Sequence, residues 1–482
     1  MGRNLIILMS DEHGPRSLGV AGHPQVKTPN IDKLAAAGTR FTRAYCTSPI
    51  CVPARAGFAT GLYPHQNHYW DNAFPYDGLV KGWGHRLIEA GHECVSIGKL
   101  HYRNDTDDTG FSRQIAPMHV IGGLGDLVGM IRNGPPVRHG ARKYIEEAGE
   151  GRTAYQQYDE TTAKLATEWL GAHADGREGE TGWLLFVSFV CPHFPLQAPA
   201  EYLALYPEHE IVLPAELPSQ DDLHPAILEY ARLMNFLPSF TEKQVRRALS
   251  AYLALVTFMD AQVGRVLEAV EKLGLAEDTT VIYTSDHGDN MGRNGLFGKS
   301  TMYEDSVGVP LIIKGAGIPA GRQISTPVSH VDIHPTVLEL IGVSPSAEDQ
   351  NLPGTSLLAQ IEGDQRRYPV LSEYHATCST GGITMLRQGS LKYVHYVNYP
   401  EQLFDLDNDP DELHDLAGDQ HYHADLVRMR NTLRELLDPV KVDAAAKAEQ
   451  EVRIALHGGR EAILAGGTLG YTPAPGEKPD IS

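Results

Sequence analysis

Short apolar runs of strand length recur along this chain, and stretches with helical spacing of apolar residues lie between them. Such an alternation is typical of an α/β fold, in which helices connect the strands of a mostly parallel sheet. The apolar runs lie at residues 5–9, 92–97, 183–190, 280–284 and 309–313. We therefore predict a mostly parallel central sheet that is flanked by helices.

Two of the connecting helices have ends that can be read from the sequence. Thr28 and Pro29 are residue types that begin a helix, as N-cap and first-turn proline, and Gly38 is typical of a helix end. Thr241 and Gln244 have the spacing of a capping box, which predicts a long helix that runs towards residue 274. The apolar residues of this helix recur at helical spacing, so we assign them to the protein core.

The sequence changes in character near residue 370, where short strands and turns replace the longer alternating elements. We expect a larger domain at residues 1–370 and a smaller α+β C-terminal subdomain at 371–482, which contains an antiparallel sheet. Within the larger domain, residues 112–180 are expected to form a variable insertion, and its glycine-rich part at 112–155 is a candidate lid. The predicted strands near and beyond residue 370 are 370–374, 383–387, 391–397 and 402–405.

The composition argues against several classes of protein. Lys and Arg total 41 against 61 Asp and Glu, and the net charge of −20 argues against nucleic acid or an anionic membrane as a partner. The first apolar run is too short for the core of a signal peptide, and the run at 183–190 is too short to span a membrane. The five cysteines include no Cys-x-x-Cys pair, which suits a reducing compartment. We therefore expect a cytoplasmic protein.

Polar residues with catalytic chemistry follow four of the predicted strands, at the point where each strand ends. In open α/β sheets, ligands bind at the carboxyl ends of the strands. Each of these residues alone is most simply a cap or turn residue, whereas together they favour a site for a metal ion and an anion. They are Asp11, Glu12, Lys99, His101, His193, Asp286 and His287.

The most informative segment reads Cys51-Val52-Pro53-Ala54-Arg55. Pro53 fits the first turn of a helix, so we expect Cys51 at a helix N-terminus, where backbone N–H groups stabilise an anion and favour a thiolate. Arg55 lies in the same turn and can bind an anion through two parallel hydrogen bonds. The alternative interpretation is a structural cysteine beside an ordinary surface arginine.

This segment resembles the Cys-x-Pro-x-Arg signature of the type I sulfatases, a family of the alkaline phosphatase superfamily. The resemblance continues through residues 28–32, 98–101, 285–289, 403–406 and 409–410, and residues 112–180 match least. Residues 71–73, together with Asp286 and His287, are most similar to choline sulfatases, and the chain also resembles arylsulfatases. The resemblance implies an alkaline-phosphatase-like fold.

The resemblance also implies two cofactor features. Cys51 would be oxidised to Cα-formylglycine by a separate maturation enzyme, and one divalent cation would be bound by Asp11, Asp286, His287 and the formylglycine. Carboxylate ligands suit Ca²⁺, Mg²⁺ or Mn²⁺, and Ca²⁺ is the ion that we expect. Glu12 stands where many family members have Asp, so it is expected as a further metal ligand or as a neighbour of the ligands.

Catalytic roles in the hydrolysis of a sulfate ester follow from the same resemblance. An oxygen of the hydrated formylglycine would attack sulfur, and Asp286 would accept its proton. Arg55 and Lys99 would hold this group and the sulfate oxygens. His193 and Lys299 would bind a sulfate oxygen or protonate the departing alcohol.

Three further residues are assigned less directly. The resemblance implies that His101 takes a proton from the sulfated enzyme intermediate and so expels sulfate. Asn72 resembles a substrate-binding residue of choline sulfatases. His395 is a candidate for the pocket wall, although its segment is more simply a half-exposed strand.

The sequence is therefore expected to encode a sulfatase that converts a small sulfate monoester to an alcohol and inorganic sulfate. Two alternatives stay open: a phosphonate monoester or phosphodiester hydrolase with the same site, and a metal-thiolate binding protein in which Cys51 is never oxidised. A negative surface repels a long polyanion, which favours a small substrate. The proline-containing tail beyond residue 466 either wraps a neighbouring subunit of a homo-oligomer or is a mobile end.

Overall fold

The structure is a computed structural model that describes residues 4–174, 181–214, 223–363 and 369–479. Residues 175–180 of the expected insertion and 480–482 of the expected tail lie outside these ranges. The strands are β1 (Asn4–Asp11), β2 (Thr39–Tyr45), β3 (Glu93–Lys99), β4 (Arg113–Met118), β5 (Gly149–Glu150), β6 (Trp183–Pro192), β7 (Gln197–Ala198), β8 (Thr279–Ser285), β9 (Gly308–Lys314), β10 (Arg322–Ile324), β11 (Val328–Ser329), β12 (Val370–Tyr374), β13 (Ile383–Gln388), β14 (Leu391–Tyr396) and β15 (Gln402–Asp405).

The helices lie mainly between these strands. They are α1 (Pro29–Ala36), α2 (Cys51–Thr60), α3 (Pro64–Asn67), α4 (Trp83–Glu89), α5 (Lys143–Glu146), α6 (Ala154–Ala172), α7 (Ala200–Leu203), α8 (Pro225–Leu233), α9 (Glu242–Lys272), α10 (Glu304–Val307), α11 (Ile333–Ile341), α12 (Leu357–Glu362), α13 (His423–Leu436), α14 (Pro439–Leu456) and α15 (Gly459–Ala465). None of the helices in the described ranges is long and apolar enough to cross a membrane.

A nine-stranded sheet forms the centre of the molecule, in the order β10-β2-β9-β8-β1-β6-β3-β4, with β11 also paired to β2. Strand β9 is antiparallel to β2 and β8, and the other pairs are parallel. The predicted mostly parallel α/β sheet is therefore confirmed. Because β8, β1, β6 and β3 are adjacent and parallel, their carboxyl ends meet at one edge.

The core lies on both faces of this sheet. Side chains of a strand alternate between faces, and in β1 Ile6 and Leu8 belong to one apolar cluster whereas Leu5 and Ile7 belong to another. Helix α9 covers the first face and begins with the predicted capping box, in which Thr241 accepts a hydrogen bond from the backbone of Gln244. Burial of both faces explains why the central strands read as continuous apolar runs.

The predicted antiparallel sheet of the C-terminal part is also present, as β12-β13-β14-β15. Four strands of the central sheet were not predicted, namely β2, β4 and the short β10 and β11. Strand β2 alternates buried and half-exposed residues and carries Arg40 and Arg43, so no apolar run marks it. Edge strand β4 lies within the expected insertion, and most of its residues are only partly buried.

Candidate active site

The residues predicted from the strand ends do converge. Asp11 ends β1, Lys99 ends β3, His193 directly follows β6 and Asp286 directly follows β8. All four are buried, as is His287 beside Asp286. The parallel arrangement of these strands brings the side chains to one edge of the sheet.

Cys51 occupies the first position of α2, as predicted, and Ile50 is the N-cap residue in extended conformation. The backbone N–H of Val52 donates to the side-chain oxygen of Asn72 at 3.1 Å, which ties the loop of Asn72 to the start of the helix. The expected thiolate is wrong for the unmodified residue. Burial, together with the neighbouring Asp11 carboxylate, raises the pKa of the Cys51 thiol to about 12.

Cys51 and three side chains around it offer a compact set of metal ligands, because one donor atom from each lies within 4.8 Å of the others; they are Asp11, Cys51, Asp286 and His287. His287 Nε2 lies 3.2 Å from Cys51 Sγ and 3.7 Å from Asp286 Oδ1. The other ring nitrogen of His287 is 3.0 Å from the carbonyl oxygen of Gly288. Donation to that carbonyl leaves Nε2 free to coordinate a metal ion.

This donor set fits a divalent cation. Two buried carboxylates and an imidazole directed at a common point are ligands that Ca²⁺, Mg²⁺ or Mn²⁺ accept. Glu12 lies in a neighbouring group with Asp11 and His193. Its Oε1 atom is buried and has no hydrogen-bond partner among the described residues, so Glu12 retains one oxygen for a ligand.

Arg55 holds the two carboxylates in place. Its Nε donates to Asp286 Oδ2 at 2.8 Å, and one terminal nitrogen donates to Asp11 Oδ2 at 3.2 Å. The other terminal nitrogen donates to the carbonyl of Lys99 at 2.8 Å and to the hydroxyl of Ser188 at 3.0 Å. The surface-arginine interpretation is therefore wrong, since Arg55 is 2% exposed and fully engaged.

Two lysines complete the positive charge of the site. Lys99 Nζ lies 2.5 Å from Asp11 Oδ2, and Lys299 Nζ donates to Glu12 Oε2 at 3.1 Å. Burial raises the pKa of Asp11, but the cations Lys99, Arg55 and Lys299 outweigh it and hold that pKa well below its ordinary value. The Asp11 carboxylate is therefore ionised at neutral pH.

The carboxyl group of Glu12 behaves differently from that of Asp11. Burial raises the pKa of Glu12 to about 8 despite the nearby Lys299. Burial also raises the pKa of Asp289 to about 6, although the backbone of Met291 donates to it. Asp289 therefore adds a further carboxyl group to the site. The sequence analysis gave it no site role, although it belongs to the 285–289 motif.

His101 and His193 are neutral at pH 7. Burial and the adjacent lysines lower the pKa of both His101 and His193 well below the ordinary value. His193 lies 3.4 Å from Glu12 Oε2, and its Nδ1 is 2.6 Å from the carbonyl of Phe194. Nε2 of His101 lies 2.7 Å from the hydroxyl of Thr472 in the C-terminal tail.

Two connected cavities open on these groups. The smaller, of about 80 Å³, contains Cys51, Lys99, His101 and His193 in its wall. The larger, of about 140 Å³, is mostly apolar. Its aromatic and apolar wall includes Tyr144, Phe194, Tyr230, Met234, Phe236 and Phe297. Residues shared by both walls are Asn72, Asp126, Phe194, Lys299, Leu469 and Gly470.

Comparison with known proteins assigns the family. Residues 3–343 match the Sulfatase family, and residues 292–439 match the family described as N-sulphoglucosamine sulphohydrolase, C-terminal. The chain belongs to the sulfatase family. It is therefore a sulfuric ester hydrolase.

Individual relatives agree with this assignment. Choline-sulfatase of Rhizobium meliloti is 31% identical over 462 residues, which covers 93% of this chain and 90% of the relative. Arylsulfatase K of Bos taurus is 30% identical over 468 residues, which covers 92% of this chain and 83% of the relative. Phosphonate monoester hydrolase of Agrobacterium radiobacter shares the fold, with a TM-score of 0.72 at 23% identity over 93% of this chain and 96% of that chain. The fold is alkaline-phosphatase-like, as expected.

Not every predicted residue of this sulfatase lies at the site. His395 lies on β14 and lines a separate, open depression with Tyr399 and Glu401. Neither of the two connected cavities has His395 in its wall. The structure thus corrects the assignment of His395 as a pocket residue, because the strand carries its side chain to another part of the surface. Asn72, by contrast, lines both cavities.

The sequence pattern missed several residues of the sulfatase cavities. Asp126 and Arg138 come from the glycine-rich segment and form an ion pair at 2.7 Å between Arg138 Nη2 and Asp126 Oδ2. Leu469 and Thr472 come from the C-terminal tail. No strand end or motif marks these positions, and only the tertiary fold brings them to the site.

Proposed function

We propose that this sulfatase hydrolyses a small sulfate monoester through a Cα-formylglycine that is formed from Cys51 by a separate maturation enzyme. The observation that carries the proposal is the position of Cys51 at the buried start of α2, 3.2 Å from His287 Nε2 and 3.8 Å from Asp11 Oδ1. A plain thiol with a raised pKa is a poor nucleophile at this position. The hydrated aldehyde would supply an oxygen nucleophile towards sulfur instead.

We further propose that one divalent cation, most favourably Ca²⁺, is held by Asp11, Asp286, His287 and residue 51, with Glu12 as a further or neighbouring ligand. The ion would supply Lewis-acid stabilisation of negative charge at the reacting oxygens. Asp286 suits this ligand role because Arg55 Nε and two backbone N–H groups, those of Glu12 and His287, already fix its carboxylate. Its proposed second role is to accept the proton of the attacking hydroxyl.

The remaining side chains bind the sulfate group and move protons. Lys99 and Lys299 present ammonium groups towards residue 51 and can neutralise charge on the sulfate oxygens. We propose that His193 binds a sulfate oxygen or protonates the departing alcohol, and that Arg55 holds residue 51 as well as the two carboxylates. His101 is proposed to remove a proton from residue 51 as sulfate departs, for which its neutral imidazole is the required form.

The cavities support a small substrate. The cavity beside Cys51, of about 80 Å³, has Lys99, His101, His193 and Lys299 in its wall and suits a group of about sulfate size, whereas the adjoining cavity of about 140 Å³ is lined mostly by apolar and aromatic side chains. Asn72 lies where the two cavities meet and is proposed to contact the substrate. The net charge of −20 around this local positive site disfavours a long polyanion as substrate.

Relative rates on three substrates test the proposal: an aryl sulfate, choline sulfate and an aryl phosphonate monoester. The protein should be produced together with a formylglycine-generating enzyme, and kcat/KM should be higher for the better sulfate ester than for the phosphonate. The reverse order would favour the phosphonate hydrolase alternative. Cys51→Ala serves as the control, because it should abolish activity on all three substrates.

The state of the cysteines supports a cytoplasmic location as part of the proposal. All five are free and buried, namely Cys46, Cys51, Cys94, Cys191 and Cys378. Free, buried thiols are typical of proteins that work in a reducing compartment. Secretion with retention of full activity would contradict this part.

A further inference from the structure

The segment that follows α15 lies against the active site of its own chain. We call residues 468–474 the strap. Leu469 and Gly470 line both cavities, and Thr472 lines the smaller one beside Cys51. Ala474 is buried in the main apolar cluster, which anchors the far end of the strap. The strap is therefore part of the wall of the reaction cavity.

Helix α6 fixes the strap in place. The hydroxyl of Tyr155 donates to the backbone oxygen of Thr472 at 2.5 Å. The rings of Tyr155 and Tyr471 meet edge-on with centroids 5.4 Å apart. The Tyr155 ring also meets the ring of His193 edge-on at 6.0 Å, so one buried side chain contacts both the strap and a site histidine.

The side chain of Thr472 contacts His101 directly. Its Oγ1 atom lies 2.7 Å from His101 Nε2. His101 Nδ1 is buried and has no hydrogen-bond partner among the residues that the structure describes. The backbone of His101 is fixed as well, since its N–H donates to the carbonyl of Met118 at 2.8 Å.

In a neutral imidazole one nitrogen carries the proton and the other carries a lone pair. A hydroxyl that accepts the Nε2–H of His101 leaves the lone pair on Nδ1, and the ring can then act as a base through Nδ1. A hydroxyl that donates to Nε2 would put the proton on Nδ1, and Nδ1 could then only donate. The direction of the hydrogen bond to Thr472 is therefore coupled to the chemistry that His101 can perform.

We propose that Thr472 is a positioning residue for His101: it accepts the Nε2–H proton and so holds the imidazole with an unprotonated Nδ1 that takes the proton from residue 51. This inference rests on the proposed function for the role of His101 and adds the tail residue that sets its tautomer. Thr472 itself transfers no proton and touches no reacting atom.

Kinetics of three variants test the positioning role. Thr472→Val keeps the volume but removes the acceptor, and kcat should fall about 10–100-fold, the range typical of lost supporting contacts. KM should fall together with kcat, because His101 acts after sulfate transfer and slower breakdown of the sulfated intermediate lowers both constants, and Thr472→Ser should restore kcat. Thr161→Val, at an exposed threonine of α6, is the matched control and should leave both constants unchanged. An unchanged kcat in Thr472→Val, or a loss that Thr472→Ser does not restore, would overturn the proposal.

A second measurement needs no active enzyme. In the Cys51→Ala protein, ¹⁵N NMR of the histidine rings should show His101 with a proton on Nε2 and none on Nδ1, the signal being assigned by its loss in His101→Gln. Thr472→Val should convert this signal to an average of both tautomers. A proton on Nδ1 with the strap intact, or identical signals in both proteins, would refute the positioning role even if the protein proves to be an active sulfatase. Conversely, if the NMR signals are as expected but the protein with Cys51 shows no sulfatase activity, the positioning role stands and the proposed function is wrong.

Discussion

At the scale of single residues, the site is organised by charge compensation. The buried carboxylate of Asp11 contacts Lys99 Nζ at 2.5 Å and a terminal nitrogen of Arg55 at 3.2 Å. Burial of an isolated carboxylate costs roughly several kcal/mol of folding free energy. A buried carboxylate is therefore tolerated only when it is paired with a cation. The two cations therefore keep Asp11 ionised, which is the form that the proposed role as a metal ligand requires.

Arg55→Lys should be far from conservative. A lysine cannot replace the planar group that reaches Asp286, Asp11 and the Lys99 carbonyl together. Since charge-assisted hydrogen bonds contribute about 1.5–3 kcal/mol each, we expect a loss of about 2–3 kcal/mol in the free energy of unfolding and a fall in kcat of about 10²-fold or more. Guanidinium denaturation and steady-state kinetics measure the two effects. The exposed Arg428→Lys is the control, and equal behaviour of the two variants would contradict this account.

Four of the residues that the sequence predicted share one property. Asp11, Lys99, His193 and Asp286 lie at or directly after apolar strands, and strand topology alone brings them together. Thr472 is 371 residues from His101, and no local pattern connects the two. Asp126 is likewise placed by packing, through its pair with Arg138. Local pattern predicts what lies on a strand end, whereas the cavity wall depends on how loops and the tail pack.

At the scale of elements, helix α14 supports the loop that carries Asn72. Gln450 of α14 donates to Asp71 Oδ2 at 2.6 Å and to the carbonyl of His375 at 2.7 Å. Asp71 also accepts from the backbone N–H of Ala73 at 2.7 Å. The C-terminal part of the chain thus fixes the loop that meets α2 through the contact between Asn72 and Val52.

Gln450→Leu should weaken both stability and activity. Burial already raises the pKa of Asp71 to about 6, and the Gln450 amide opposes that rise. Loss of this donor leaves a buried acceptor unpaired, at a cost of about 1–3 kcal/mol in the free energy of unfolding. Thermal unfolding should show that cost, and KM should rise because Asn72 loses its support. Gln420→Leu, at an exposed position, is the control; a Gln450→Leu protein as stable and active as the control would argue against this role.

The helices and strands also show which parts of the fold local sequence patterns predict and which they do not. Helix α9 was predicted with its capping box because helix ends and apolar spacing are local signals. The antiparallel β12–β15 sheet was predicted for the same reason. Strand β2 was not predicted because it carries Arg40 and Arg43 and pairs with β9, β10 and β11, which are distant in the sequence. Its strand character comes from partners rather than from its own apolar content.

At the scale of the whole molecule, buried neutral histidines contribute to the fall in the free energy of unfolding at acidic pH. Burial, with a smaller effect of His287, lowers the pKa of His330 from 6.5 to about 3. Between these values the unfolded chain binds a proton that the folded chain does not. The free energy of unfolding therefore falls as the pH drops below about 6.5, by up to about 1.4 kcal/mol per pH unit for one such group.

His330→Gln should make this dependence shallower. Lost packing should lower the free energy of unfolding of the variant by the same amount at every pH. Between about pH 4 and 6, the slope of the unfolding free energy against pH should decrease by up to about 1.4 kcal/mol per pH unit, which corresponds to one proton. Denaturant titrations at several pH values measure the slope. His421→Gln, at an exposed histidine, should leave the slope unchanged. An unchanged slope in His330→Gln would show that His330 is not neutral in the folded protein at those pH values.

The overall charge of −20 can be compared with the charges at the site. The chain as a whole is acidic, whereas the site contains Arg55, Lys99 and Lys299, and a bound divalent ion would add further positive charge there. Under the proposed function, this local positive charge would attract a single sulfate group, while the net negative charge would repel a long polyanion. The sum of charges therefore bears on the size of the substrate rather than on its sign.

The central claim is that the catalytic group is a formylglycine at position 51, and one measurement tests it most directly. Protein prepared with different amounts of maturation enzyme should be digested, and the fraction of Cys51 converted to the aldehyde should be determined by mass spectrometry. The rate of sulfate release per mole of protein should rise in proportion to that fraction and vanish when none is converted. Full sulfate release from protein whose Cys51 is entirely an intact thiol would contradict the account.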